Sequence, residues 1–469
     1  MKNLPFTIAE IQKLLLSKEV SCVELVDTYM ENIEKANPKL NVFITVSKDK
    51  AYSDAKKVDK LIKDLGVDIK GEHPLFGTVV AHKDLFLTEG IRTTAGSKVL
   101  DTYIPAYSAT VVARLESAGC ITIGKTNCDA WAHGASGENS DYGPTKNPWN
   151  TEFVPGGSSS GSAVSVASGL TTIATGTDTG GSIRQPANFS GVVGFKPTYG
   201  AVSRYGVTAM ASSLDSVGHF SQSVADAEKV FDVVRGEDGK DSTVKNFKAA
   251  KPKAKIKLGI PKEYFAEGVE EEVKDSVYKA SKLFEKEGIE LVEINLPHTR
   301  YAISVYYIIQ PAEVSSNLGR YDGVRYGGPR TSFGAEAKRR IMLGTYVLSA
   351  GYYEAYYLKA MKVRSKIIED FDKAFALVDA IIAPVSPTTA FRLGEKADDP
   401  LKMYLADILT VPANIAGIPG LAIPSGFSKA GLPLGIQLMG PRFSEHTLFA
   451  LGELYQNASG WKFKLAKDL

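Results

Sequence analysis

The sequence predicts an α/β fold, a sheet carrying helices on its faces and preceded by a layer of helices. Three observations lead there. Two helix-start signatures open the chain. From Leu75 onward short apolar runs alternate with amphipathic segments. Hydrophobic residues make up 44% and charged residues 23%, which excludes a disordered, collagen-like or coiled-coil protein and leaves a chain able to bury a large core without disulfide or metal staples.

The elements follow in order. Thr7 with Glu10, and Ser21 with Glu24, each set a hydroxyl three residues ahead of a carboxylate, which satisfies the orphan N–H groups of a first helical turn. Ile8, Ile11, Leu14 and Leu15, then Val23, Leu25, Val26, Tyr29 and Ile33, recur behind them at helical spacing. Residues 48–64 read as a third, charged helix. Residues 1–65 are thus expected to be a helical layer, and 66–469 one large unit beyond the polar turn at 70–74. In that unit 78–81, 120–123, 170–175, 257–260 and 380–383 read as strands. Residues 108–118, 160–168 and 445–456 read as helices. Residues 240–257 hold seven lysines against one aspartate, with Pro252 among them. They read as a solvated linker, or alternatively as a nucleic-acid-facing patch. No repeat of fixed period occurs.

Charge and cysteines bound the function. Fifty-five basic residues against 53 acidic ones give a net charge of +2. A protein that grips nucleic acid with its own broad surface is far more basic, so such a partner would be touched locally or through another subunit. Cys22, Cys120 and Cys128 cannot all pair and show no C-x-x-C spacing, which argues against a disulfide framework and a thiolate metal site. The first residues lack the apolar stretch of a signal peptide, and no apolar run approaches a membrane span. The expectation is a cytoplasmic protein without a metal.

Two motif matches fail on context. Residues 119–126 satisfy G-x4-G-K-T, but a helix precedes Gly119 and three of the four intervening residues are apolar, so a strand sits where the phosphate loop belongs. Gly157-Ser158-Ser159-Ser160-Gly161 satisfies the G-x-S-x-G elbow, which needs an acid and then a histidine downstream. Of the six histidines only His219, His298 and His446 follow, and none lies in a segment built for chemistry.

The densest run of special residues is 154–197. It holds a glycine- and serine-rich turn ending in Gly161, then Thr177-Asp178-Thr179-Gly180-Gly181-Ser182. Adjacent glycines before a serine let successive N–H groups converge, as stabilisation of an oxyanion requires. A serine nucleophile needs a base, and Lys83 ends the apolar strand Val79-Val80-Ala81-His82-Lys83. Burial lowers a lysine's pKa and frees its neutral amine for that work. Ser–Lys pairs are known variants of triad logic.

At this point the sequence resembles a family. The run GGSSSGSA, the serine of GTDTGGSIRQP 24 residues beyond Ser158, and the strand-borne lysine 75 residues before it are similar to the amidase signature family over essentially the whole chain. The resemblance implies an amidase-signature fold, with a mixed central sheet covered by helices on both faces. It implies a Ser–cis-Ser–Lys triad in which Ser182 is the nucleophile, Ser158 the relay and Lys83 the base. It also implies an oxyanion hole built from Thr179, Gly180 and Gly181.

Further motifs narrow the match: Phe195-Lys196-Pro197-Thr198-Tyr199-Gly200, Ser212-Ser213-Leu214-Asp215, Arg339-Arg340-Ile341-Met342-Leu343-Gly344 and Ser349-Ala350-Gly351-Tyr352-Tyr353. They are similar to the glutaminase branch of that family, which serves tRNA-dependent amidotransferases. That resemblance implies glutamine as amide donor, with Arg340 and Asp407 gripping its charged ends and Tyr306 nearby. It implies partners, subunits B and C of a heterotrimer, and misacylated Glu-tRNA(Gln) or Asp-tRNA(Asn) held mainly by the partner. ATP and Mg would be used by that partner, with no cofactor in this chain. Three features depart from the family pattern: His82 beside the lysine, Gly-Ser-Ser-Ser-Gly in place of Ser-Ser-Gly-Gly, and a short segment between Tyr326 and Phe333. The competing readings are a stand-alone amidase with the same triad and a catalytically silent assembly protein.

Overall fold

The computed structural model describes residues 7–247, 253 and 255–466. Part of the lysine-rich stretch, residues 248–252 and 254, lies outside them. Both N-terminal capping boxes form, at the starts of the helices Ile8–Leu16 and Cys22–Leu40. The charged helix follows as Lys48–Leu65.

Eleven strands make one sheet. They are β1 (Phe43–Val46), β2 (Val79–Lys83), β3 (Ile121–Thr126), β4 (Ile173–Asp178), β5 (Val193–Lys196), β6 (Ser216–Ser221), β7 (Lys257–Pro261), β8 (Glu290–Ile294), β9 (Ala380–Pro384), β10 (Gly420–Phe427) and β11 (Pro433–Met439). Their spatial order is β1-β3-β2-β4-β6-β5-β10-β11-β9-β7-β8. The sheet is mixed: β2 is parallel to β3 and β4, and β7 is parallel to β8 and β9, while the middle from β4 through β11 is antiparallel. The first 65 residues are not helical throughout, because β1 pairs with β3 and ties that layer to the sheet edge.

Alternation along the strands divides the core. Val79 and Ala81 pack with Ile121, Ile123 and the N-terminal helices, whereas Val80 joins Ile173 in the cluster that lies elsewhere in the fold. Every residue of β2, β3 and β4 is buried, as expected of strands covered on both faces. Lys125 and Thr126 of the phosphate-loop match lie inside β3, where the Lys125 ammonium pairs with buried Asp84 at 3.2 Å and donates to the Phe86 carbonyl at 2.6 Å. Its role there is structural. Among the described residues no helix is long and apolar enough to cross a membrane.

Candidate active site

The C-terminal ends of two neighbouring parallel strands set the site. His82 of β2 lies beside Thr175 of β4, so Lys83 and Thr177 emerge next to each other. Lys83 Nζ donates to Ser158 Oγ at 2.8 Å, Ser159 Oγ at 2.9 Å and Thr177 Oγ1 at 2.8 Å. Ser158 and Ser159 precede the buried helix Ser160–Ala167, and the peptide bond Gly157–Ser158 is cis. The amine is fully buried, and burial, partly offset by the carboxylates of Asp129, Asp178 and Asp215, lowers its pKa from 10.5 to about 8. An amine so placed is neutral in an appreciable fraction near neutral pH. His82, its neighbour, turns to Thr175 and Thr122, and burial lowers its pKa to about 3, so it stays neutral.

The loop from Thr179 to Ile183 leads from β4 into the helix Arg184–Ser190. Its organiser is Asp178. One carboxylate oxygen accepts the Gly181 N–H at 2.8 Å, and the other accepts the Ile183 N–H at 3.3 Å and Arg184 Nε at 3.1 Å. Burial pushes this carboxyl up, but Arg184, Lys196 and Asn414 outweigh it and hold it at about 2. Of the three residues expected to supply an oxyanion hole, Gly181 therefore has its N–H turned inward to Asp178. The N–H groups of Thr179, Gly180 and Ser182 have no partner among the described residues. Gly181 has φ +137°, a conformation L side chains rarely adopt. Gly180 is held close to Tyr306, where a β-carbon would stand 2.9 Å from the phenol oxygen.

Ser182 meets the other serine segment through its carbonyl, which accepts the Ser159 N–H at 3.3 Å. Lys83 and Ser158 are sealed from solvent, whereas Ser182 keeps 9% exposure, so of the three it alone remains in contact with solvent.

A chain of contacts runs from this loop to Arg340. The Tyr306 ring meets Tyr307 edge-on, and the Arg340 guanidinium lies over Tyr307 and Tyr404 at 5.4 and 5.7 Å. Arg340 is buried; its Nε donates to Glu336 at 2.8 Å, one helical turn away on Ala335–Val347. Its two terminal nitrogens have no hydrogen-bond partner among the described residues. Arg340 borders a cavity of about 220 Å³ lined also by His133, Glu336, Tyr307 and Tyr404. Asp407 is buried nearby, and its carboxylate makes no hydrogen bond among the described residues. Burial raises its pKa well above the usual range, against the pull of Arg340. Thr410 Oγ1 donates to the carbonyls of both Gly180 and Asp407, tying the loop to that carboxylate's segment.

The fold thus brings together Lys83 with Ser158, the Ser182 loop with Tyr306, and Tyr306 with Arg340. Sequence reasoning missed Ser159 and Thr177 as contacts of the amine, Asp178 as the loop's anchor, and Glu336 and His133 beside Arg340. Asp178 and Glu336 carried a signal, one ending a strand before Gly-Gly and the other four residues before Arg340. Thr177 and His133 carried none.

Known proteins resemble this chain in sequence and in fold. The model of the family described as Amidase matches residues 24–449. The A subunit of glutamyl-tRNA(Gln) amidotransferase from Heliobacterium modesticaldum is 49% identical, covering 99% of this chain and 99% of its own. The crystal structure of the A subunit of glutamyl-tRNA(Gln) amidotransferase from Thermotoga maritima superposes with a TM-score of 0.82 at 39% identity, covering 100% of this chain and 99% of that one. A native peptide amidase from Stenotrophomonas maltophilia superposes equally well, TM-score 0.82, at 27% identity over 99% of this chain and 100% of its own. Backbone shape alone does not separate the two activities.

Proposed function

This chain belongs to the amidase family, and from that premise we infer that it hydrolyses the side-chain amide of glutamine through a serine acyl-enzyme, as the ammonia-supplying subunit of a tRNA-dependent amidotransferase. The near-full-length similarity to amidotransferase A subunits supports it. The observation that carries the choice of glutamine over a plain amide is Arg340, a buried residue that lines a cavity and whose terminal nitrogens have no acceptor among the described residues. That is a carboxylate's place. An amidase for neutral amides gains nothing from such a group.

The Lys83–Ser158 contact supports the first step; no hydrogen bond joins the Ser158 and Ser182 hydroxyls among the described residues, and the relay to Ser182 belongs to the proposal. The neutral Lys83 amine takes the Ser158 hydroxyl proton, and Ser158 takes that of Ser182. The freed Ser182 Oγ attacks the amide carbon, and the carbonyl oxygen becomes an oxyanion that accepts the unpartnered N–H groups beside it. The proton returns through the same relay to the nitrogen, the C–N bond breaks and ammonia leaves. Water then enters by the same base and releases glutamate from the serine ester. Arg340 holds the α-carboxylate and Asp407 the α-ammonium, with Tyr306 packed between them and Gly180.

In this reading the partners are subunits B and C of a heterotrimer. ATP and Mg act in the partner, which also holds most of the misacylated Glu-tRNA(Gln) or Asp-tRNA(Asn). The near-neutral charge of this chain fits that division. The test compares ammonia release from glutamine and from a neutral aliphatic amide, and transamidation with and without partner subunits and ATP. Glutamine should be preferred, and transamidation should need both additions. A chain that prefers the neutral amide and works alone would be a stand-alone amidase.

A further inference from the structure

His133 is fully buried, and neither ring nitrogen has a hydrogen-bond partner among the described residues. Buried polar groups are almost always satisfied, so a histidine with both nitrogens idle demands an explanation. His133 is among the residues that line the cavity of about 220 Å³ bordered also by Arg340, Glu336, Tyr307 and Tyr404. The backbone leading to it is unusual as well. Trp131 and Ala132 both lie in the left-handed region, at φ 58° and 63°, neither being glycine. Two successive residues of this kind persist only where surrounding structure over-determines them, as it does here: the Trp131 ring is wedged between Tyr321 and Phe333 at 4.8 and 5.4 Å. The His133 carbonyl is fixed by Asn139 Nδ2 at 2.6 Å. The segment fixes the position of His133 beside the cavity.

Burial and the Arg340 charge keep the imidazole neutral, its pKa well below the usual value. A neutral imidazole offers one N–H donor and one acceptor. Arg340 lines the same cavity, its terminal nitrogens are also unpartnered among the described residues, and its Nε is already given to Glu336. A planar anion bound there takes the guanidinium on one side and has lone pairs left over. We propose that His133 is a substrate-contact residue that donates a ring N–H to the carboxylate held by Arg340, so that the site selects amides bearing a free carboxylate by two donors. This rests on the reading of the cavity as the place of glutamine's α-carboxylate.

The test uses the full chain with the subunits that assemble on it. His133→Leu removes both nitrogens, and His133→Phe keeps a ring at that position without them. His133→Gln restores a donor. A hydrogen bond to a charged group corresponds to about 10-fold or more in affinity. The KM for L-glutamine should therefore rise by about that factor in the leucine and phenylalanine variants and recover in part in the glutamine variant. Turnover of a neutral aliphatic amide should change by less than about 3-fold. The thermal midpoint should not fall, because the nitrogens lost have no partner among the described residues of the free protein. If the wild type is active on glutamine and the KM stays within about 2-fold in both apolar variants, the proposal fails alone. Equal losses on both substrates with a lowered midpoint would make His133 structural and also overturn it. A wild type that prefers the neutral amide overturns the glutamine reading, and this proposal with it.

Discussion

Replacing Lys83 with methionine keeps the length and apolar stem of the side chain and removes the amine that contacts Ser158, Ser159 and Thr177. General-base help is worth about 10²–10⁴-fold, so ammonia release from glutamine should fall by at least about 100-fold. Lys83→Arg should not rescue it, since a guanidinium does not deprotonate in this range. A second magnitude comes from burial. An amine at about 8 in the folded chain and 10.5 in the unfolded one disfavours the folded state at neutral pH by about 3 kcal/mol, at about 1.4 kcal/mol per tenfold change in proton affinity. Between those two values the unfolded chain holds the proton and the folded chain does not, so wild-type stability rises with pH across that window. The penalty is full below pH 8 and gone above 10.5. The methionine variant lacks it. Urea denaturation of both proteins should therefore show the difference in unfolding free energy moving by about 1 kcal/mol toward the wild type from about pH 7 to 9. The same ionisation should make wild-type kcat/KM rise to a plateau above about pH 8. A variant within tenfold of the wild-type rate, or a stability difference flat in pH, would show Lys83 to be a structural group and not the base.

Ser182→Ala should abolish both glutamine hydrolysis and labelling by a phosphonylating probe, and Ser158→Ala should slow both severely; labelling that survives Ser182→Ala and vanishes in Ser159→Ala would move the nucleophile to Ser159. Arg340→Ala and Asp407→Asn should each raise the KM for glutamine by an amount equivalent to about 2–5 kcal/mol. Neutral-amide hydrolysis should change much less, and equal losses on both substrates would refute recognition of the charged ends. Asp178→Asn leaves the fully buried Arg184 guanidinium without its carboxylate, and should cost about 3–5 kcal/mol of stability by urea denaturation. A cost below about 1 kcal/mol would mean that Gln437, Asn414 and the Thr410 carbonyl suffice for Arg184.

Local patterns in the chain were sufficient wherever the physics is local. The capping boxes at Thr7 and Ser21 formed because hydroxyl and carboxylate lie within one turn. The strand ending at Lys83 was legible because a lysine closing an apolar run is rare. The β-branched residues after Gly119 excluded a phosphate loop, and β3 lies there. The strands β5, β6, β10 and β11 escaped the reading. Besides its neighbour in sequence, each also pairs with a strand farther along the chain, β10 with β5 and β11 with β9 for example, and apolar runs of that length look alike in strands and helices.

The serines, the lysine and the glycine pair are thus written in the sequence as a set, and with them the expectation of acyl-transfer chemistry. The tertiary structure alone decided which hydroxyls the amine touches, since Ser158, Ser159 and Thr177 stand 75 to 94 residues away and converge only because β2 and β4 run parallel in register. It also decided that the Gly181 N–H faces Asp178, that Arg340 is buried over two tyrosines, and that the His133 ring nitrogens have no hydrogen-bond partner among the described residues. Residue type and spacing fix what a side chain can donate or accept. Burial and the direction of each N–H depend on contacts between segments that no local pattern specifies, and those contacts set the pKa of Lys83 and the empty valences around Arg340.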